Sequence, residues 1–286
     1  MSVETLIQGI LLGGLYGLFA LGLSLMFGVM RLTNTAHGDF IILGSFASLS
    51  LVSSGLSPLQ SILLILPLAW LLGYGLQRYV LNGTLGKDPL PSLVVTFGLS
   101  IVTQNFLLEL FSADPKAIET DGFNTLGFAI SDAISVGVLP MLILALAISA
   151  TFFLQWLFKY SNIGRAFRAV SDDPEIAELM GLNSRQVYAY ATGLAFVLIS
   201  ISGTLQGMRT TVSPSDGPLL LLFAFESVII GGMGSFWGTL AGAMLLGVAQ
   251  QIGFRWNPGW GLWCGHMMFL IILIVRPQGL FPKTRG

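Results

Sequence analysis

The chain has 286 residues, 54% of them hydrophobic and 9% charged, with a mean hydropathy of +0.81. Soluble domains carry roughly 25% charged residues, so apolar runs of about twenty residues recurring along the whole chain read as a polytopic helical membrane protein. These runs lack the alternation of a membrane barrel, the net charge of −1 gives no hint of nucleic acid, and the single cysteine, Cys264, excludes an intrachain disulfide or a cysteine-cluster metal site.

The first residues carry Glu4 but no Lys or Arg before the apolar run, so no cleavable signal peptide is expected. No separate soluble domain is visible, and residues 1–286 read as one membrane domain. The first span covers about 6–30, with Gly9, Gly13 and Gly17 four apart, a spacing that suits close helix packing.

RLTNTAHGDF follows, Arg31 to Phe40, crowding Thr33, Asn34, Thr35, His37 and Asp39 between two apolar runs. Two readings stand: a short loop at the membrane surface, or a broken helix whose unwound backbone lines a cavity. In the second, Thr33, Asn34, His37 and Asp39 are candidates for a translocation pathway, since polar groups at depth are costly unless they serve one. His37 and Asp39 alone make no metal site.

A span at about 59–82 contains Pro67, Gly73 and Gly75. The loop Asn82 to Pro91 includes GTLGKD, which is not a phosphate loop: Leu81 stands where the first Gly is needed, and Asp88 where Ser or Thr would hold magnesium. The chain therefore binds no ATP in that way. In the next span, about 91–111, Gln104 and Asn105 are expected to bond between helices. Residues 112–136 form an acidic loop with Asp114, Glu119, Asp121 and Asp132 against Lys116 alone.

After a span at about 137–158 comes the longest polar interruption of the second half, in a loop covering 159–186. Asp173 can cap a short helix, Pro174 suits its first position, and Glu175 and Glu178 lie toward the positive end of its dipole. Gly181 can take the left-handed conformation that ends it, and Asn183 with Gln186 resembles a capping box for the next helix. The reading is a small, rigid, charged helix hanging from the membrane domain; a plain well-capped surface loop is the alternative. Counting Lys and Arg places 78–91, 159–186 and the tail with Arg276, Lys283 and Arg285 in the cytoplasm, and 112–136 outside.

A span at about 187–208 leads to an outer loop with Arg209 and Asp216. Leu219 to Phe254 is about 36 residues, too long for one crossing of roughly 20. It reads as a hairpin or broken helix pivoting between Gly231 and Gly238, with Gly231, Gly232, Gly234, Gly238 and Gly242 as hinge and packing positions. Glu226 is either an internally bonded carboxyl or a group lining the route. The last span is about 260–276, where His266 reads as a packed or interfacial histidine. The fold class is an all-α bundle with about eight or nine crossings and broken or re-entrant elements.

Four ordered segments resemble the LivH-type permeases of branched-chain amino-acid ABC importers: GVMRLTNTAHGDFIILGSF, GRAFRAVSDDPEIAELMGLN, GGMGSFWGTLAGAMLLG and the terminal RPQGLFP. The likeness covers essentially the whole chain. Permeases of urea and short-amide importers share the core seen here as Asn34-Thr35-Ala36-His37-Gly38, and Asp39 stands where many relatives place Glu. The resemblance implies one permease subunit of an importer in the bacterial inner membrane, its C-terminus cytoplasmic, paired with a related second permease. Two cytoplasmic ATPases would bind ATP and magnesium and dock on the short helix, where Asp173, Pro174, Glu178 and Gly181 match the motif. An extracytoplasmic solute-binding protein would deliver the solute. No cofactor and no covalent chemistry are expected of this chain. A stand-alone secondary transporter or channel has no need of a docking helix, and an intramembrane enzyme needs a ligand constellation that two histidines, His37 and His266, do not supply.

Overall fold

The computed structural model describes residues 3–86, 88–120, 122–131 and 134–281. Lys87, Asp121, Asp132, Lys283 and Arg285, which entered the charge reading of the loops, lie outside the described residues, as does Pro282 of the terminal motif. The helices are α1 (Val3–Met30), α2 (His37–Ser53), α3 (Pro58–Tyr79), α4 (Leu90–Phe111), α5 (Val138–Tyr160), α6 (Asn162–Asp172), α7 (Pro174–Leu179), α8 (Ser184–Arg209), α9 (Gly217–Gly231), α10 (Phe236–Trp256) and α11 (Trp260–Val275). The all-α class holds with one addition: the acidic loop carries a small antiparallel hairpin of β1 (Gly127–Ser131) and β2 (Ile134–Gly137).

Five helices among the described residues, α1, α3, α4, α5 and α8, are each long and apolar enough to cross a bilayer, and the bent pair α9 and α10 makes a sixth if it counts as one broken span. The eight or nine crossings expected from hydropathy are not reached on length and composition. The difference lies in α2 and α11, apolar but only 17 and 16 residues long, and in the 117° bend between α9 and α10.

α1 is the axle of the bundle and is buried along most of its length. Gly9 and Gly13 lie against the backbone of α10 at Val248 and Met244, and Ser24 meets Thr239 of α10 at 3.0 Å. Lipid tails give no hydrophobic drive between helices, so close backbone approach and interhelical hydrogen bonds carry the packing. α4 is built on the same logic, turned inside out relative to a soluble helix. Ser92, Thr96, Ser100 and Thr103 are buried, while Val94, Phe97 and Ile101 face outward.

The two ends of the bundle are distinct. At one end lie the α1 C-terminus, α6 and α7, residues 80–86, and the turn between α9 and α10. There Ser171 Oγ donates to the Gly28 carbonyl, Asn82 Nδ2 donates to the Arg185 carbonyl, and the tail amides of Leu280 and Phe281 donate to the Ile230 and Gly231 carbonyls. At the other end the acidic loop packs back on the bundle: Gln8 Nε2 donates to the Ser135 carbonyl, and Lys116 and Val212 exchange backbone hydrogen bonds.

Candidate translocation and coupling site

The segment 31–36 is the broken element. His37, the first residue of α2, sits beside the middle of α1, its Nε2 2.7 Å from the Phe19 carbonyl oxygen. α1 runs on from Phe19 to Met30, about 16 Å at 1.5 Å per residue. The chain therefore turns at Arg31, where φ is +53°, and returns through the interior without helical structure. Of the two readings of RLTNTAHGDF, the structure takes the broken helix.

Asn34 organises this return. Its carbonyl accepts from the His37 amide at 3.2 Å and its Oδ1 accepts from the Ala36 amide at 3.0 Å. Thr35 Oγ1 lies 2.8 Å from Thr96 Oγ1 on α4. Irregular backbone at depth needs such partners, because there is no water to supply them. Three side-chain atoms in the stretch remain unpartnered and buried: Asn34 Nδ2, His37 Nδ1 and Asp39 Oδ2.

Asp39 is 1% exposed and accepts from Gln104 Nε2 at 2.8 Å. It lies against Gly217, the first residue of α9, where a Cβ would collide with its Oδ1. A Cβ on Gly38 would likewise run into the Gly217 carbonyl. The part-length helices α2 and α9 thus meet at their first turns, so two positive helix ends face the same region. The expectation for α4 holds at Gln104 and not at Asn105, whose side chain bonds to the Ile101 carbonyl of its own helix.

Glu226 does not join this group. It is 2% exposed, and its Oε1 is 2.6 Å from His266 Nδ1 on α11. Nearby, Tyr16 of α1 stacks on Phe223 of α9 and donates to Gln250 Oε1 of α10 at 2.7 Å. Glu226 Oε2 and Gln250 Nε2 have no partner. The sequence pointed to Glu226 as a lone intramembrane acid, and nothing local linked it to a histidine forty residues on.

The basic interruption is two helices and not one. α6 follows α5 after Ser161 alone, buries Gly164, Phe167 and Val170 at helical spacing, and turns Arg165 to solvent. α7 is the short helix. Asp173 Oδ1 accepts from the amides of Glu175 and Ile176 at 2.9 and 3.0 Å, Pro174 opens the helix, and Gly181 stands at φ +88°. Asn183 caps α8 by accepting from the Gln186 amide at 3.1 Å, while the Gln186 side chain turns to Tyr190 and leaves the box half made. Within α7 only Ala177 is buried. Glu175 and Glu178 are exposed, and Leu179 and Met180 are 87% and 81% exposed.

A cavity of about 710 Å³ connects the two regions. Pro174, Glu175 and Glu178 of the α7 side line one part of it, Ser92 of α4 with Leu85, Gly86, Asp88 and Pro89 another, and Arg31, Leu32 and Thr33 the part at the start of the broken segment. At the α9–α10 seam, Gly231 packs on the backbone of Gly238 and Gly242 on Ser227 and Gly231, while Gly232 and Gly234 take φ of +104° and +82° in the turn.

A bundle with part-length helices meeting inside it and a capped helix hung at its basic end is a multi-pass membrane permease. The profile of the family described as "Branched-chain amino acid transport system / permease component" matches residues 5–276, and the chain belongs to that family. It is 27% identical to the high-affinity branched-chain amino acid permease BraD of Pseudomonas aeruginosa, over 98% of this chain and 96% of that one. It is 23% identical to LivH of Escherichia coli K12 over the same shares, and 27% identical to LivM of that organism over 95% of this chain and 68% of LivM. Among solved structures, the fold is similar to a chain of PsaBC from Streptococcus pneumoniae, with a TM-score of 0.51 and 13% identity, covering 97% of this chain and 94% of that one.

Proposed function

We propose that this chain is one permease subunit of an ATP-driven importer that carries branched-chain amino acids into the cytoplasm by alternating access. The observation that carries the reading is the cavity shared by α7 and the start of the broken segment, lined by Pro174, Glu175 and Glu178 on one side and Arg31, Leu32 and Thr33 on the other. On this reading, a rigid α7 pushed from outside the bundle would shift the wall next to Thr33, the first of the route residues. ATP and magnesium belong to two partner ATPases seated on α7, because the chain has no phosphate loop of its own. Solute reaches the outer face on a separate binding protein, and a related second permease completes the pathway, as LivH and LivM are both permeases of branched-chain amino acid systems.

Charge supports the orientation. Arg31, Arg78, Lys159, Arg165, Arg168, Arg185 and Arg276 gather at the α7 end, against Lys116, Arg209 and Arg255 at the hairpin end. By the positive-inside rule α7 and the C-terminus are cytoplasmic, and the membrane is the bacterial inner membrane. The residues assigned to coupling are Asp173, Pro174, Glu175, Glu178 and Gly181, and those assigned to the route are Thr33, Asn34, His37 and Asp39. Glu226 sits apart and is assigned to packing.

The test is reconstitution of the complete transporter in proteoliposomes with external L-leucine, its binding protein and internal ATP. Leucine accumulation that needs hydrolysable ATP is the expected result. Accumulation without the ATPase subunits would instead make the chain a stand-alone transporter. Transport of urea or acetamide with no leucine uptake would assign it to the short-amide branch.

A further inference from the structure

We infer that Asp39 is the contact for the ammonium group of the transported solute, held shut in this conformation by the glycine seam between α2 and α9. The inference rests on the amino-acid reading above and deepens it. Asp39 is a carboxylate 1% exposed inside a membrane bundle, and no cation among the described residues pairs with it. Its Oδ1 accepts from Gln104, the Ser100 side chain stands beside it on α4, and its Oδ2 has no hydrogen-bond partner. Glu226, also buried, differs on this point, because His266 meets it at 2.6 Å. An isolated ionised group at depth is expensive to keep, and such groups mark pathways when they persist.

Two features make the negative charge tolerable without a resident counter-ion. The first turns of α2 and α9 both abut the carboxylate, and the positive ends of their dipoles stabilise it. Gln104 orients it from α4. What remains is one oxygen with its lone pairs unused, a charge-assisted acceptor for a compact donor such as a primary ammonium.

Access follows from the seam. Gly38 and Gly217 are in backbone contact, and Gly217 covers Asp39. α9 follows directly on the 210–216 connection at the hairpin end, so separating the α9 start from α2 uncovers the Asp39 carboxyl group from that side. Solute binds as the seam opens, and its charge is neutralised on entering the interior.

The test uses the whole transporter complex in nanodiscs, without binding protein, and two probes of the same shape. L-leucine carries the ammonium group; 4-methyl-2-oxopentanoate carries a keto oxygen in its place. Binding of each is measured for the native complex and for Asp39→Asn, which keeps the shape and the Gln104 contact region. The expected result is a loss of leucine affinity of at least tenfold in the variant, with keto-acid binding unchanged or tighter and the thermal midpoint unchanged. Unaltered leucine binding overturns the inference, and so does an equal loss for both probes, which would mark Asp39 as a packing residue. In parallel, native proteoliposomes are assayed for ATP-dependent leucine uptake. If that uptake occurs while the binding difference fails, only the Asp39 assignment falls; if it does not occur, the amino-acid reading falls with it.

Discussion

Ser171 Oγ on α6 donates to the backbone carbonyl of Gly28 at 2.7 Å, across 143 residues of sequence. Gly28 lies in the last turn of α1, three residues before the chain reverses into the broken segment, and it also faces Gly234 in the α9–α10 turn. One hydrogen bond therefore ties the α6–α7 unit to both interrupted elements of the bundle.

Ser171→Ala removes that tie and little else. A net hydrogen bond is worth about 1 kcal/mol, so the protein still inserts and assembles. Leucine imported per ATP hydrolysed is expected to fall about fivefold, the ratio that about 1 kcal/mol of coupling represents. Uptake and phosphate release measured on the same proteoliposomes check it; an unchanged ratio would show that force reaches α1 by another path.

The ends of α7 make a second prediction. Asp173→Ala loses a cap worth about 1 kcal/mol, and Gly181→Ala forces a left-handed alanine at a further ~1–2 kcal/mol. A six-residue helix with one buried side chain has little to offset either loss. Both variants should reach the membrane in normal amount and show weakened binding-protein stimulation of ATPase activity. Normal stimulation in both would remove α7 as the docking element.

The side chains α7 presents give a third. Leu179 and Met180 are almost fully exposed at its end, and large apolar groups exposed on a capped helix at the basic end of the bundle mark a contact surface. Leu179→Glu should abolish co-purification of the ATPase subunits while leaving the permease pair and its detergent-extracted thermal midpoint intact. Retained co-purification would mean that these residues face elsewhere.

Much of this was legible in the residues, and the unread part has a common cause. The caps of α7 are local, set by Asp173, Pro174 and Gly181 within nine residues, so spacing alone located them. The pivot between Gly231 and Gly238 could be read because a 36-residue apolar stretch exceeds one crossing. The depth of Asn34 and His37 stayed open, since a surface loop and a buried return have the same composition. Only the position of His37 against Phe19 decides between them. The crossing count differs for a related reason: hydropathy scores α2 and α11 as membrane segments, while as helices they are only 17 and 16 residues long. Likewise the sequence of α6 resembles a loop, because its buried positions, Gly164, Phe167 and Val170, are interleaved with charge.

The pair formed by Glu226 and His266 supplies the last prediction, and it separates a packing role from a place on the route. Removing one partner of a buried pair strands the other, at about 3–5 kcal/mol in a dry interior, whereas replacing both with apolar groups is often neutral. His266 is 30% exposed, so the lower end of that range applies. His266→Leu should therefore lower the thermal midpoint of the purified complex by several degrees. Glu226→Leu combined with His266→Leu should restore most of it, despite the larger chemical change. The α9 face that Glu226 shares with Ser227 and Ile230 is fully packed, so the double variant should keep leucine uptake near the native rate per ATP. A double variant as stable as native but unable to transport would move Glu226 from the packing of α9, α10 and α11 onto the solute's path.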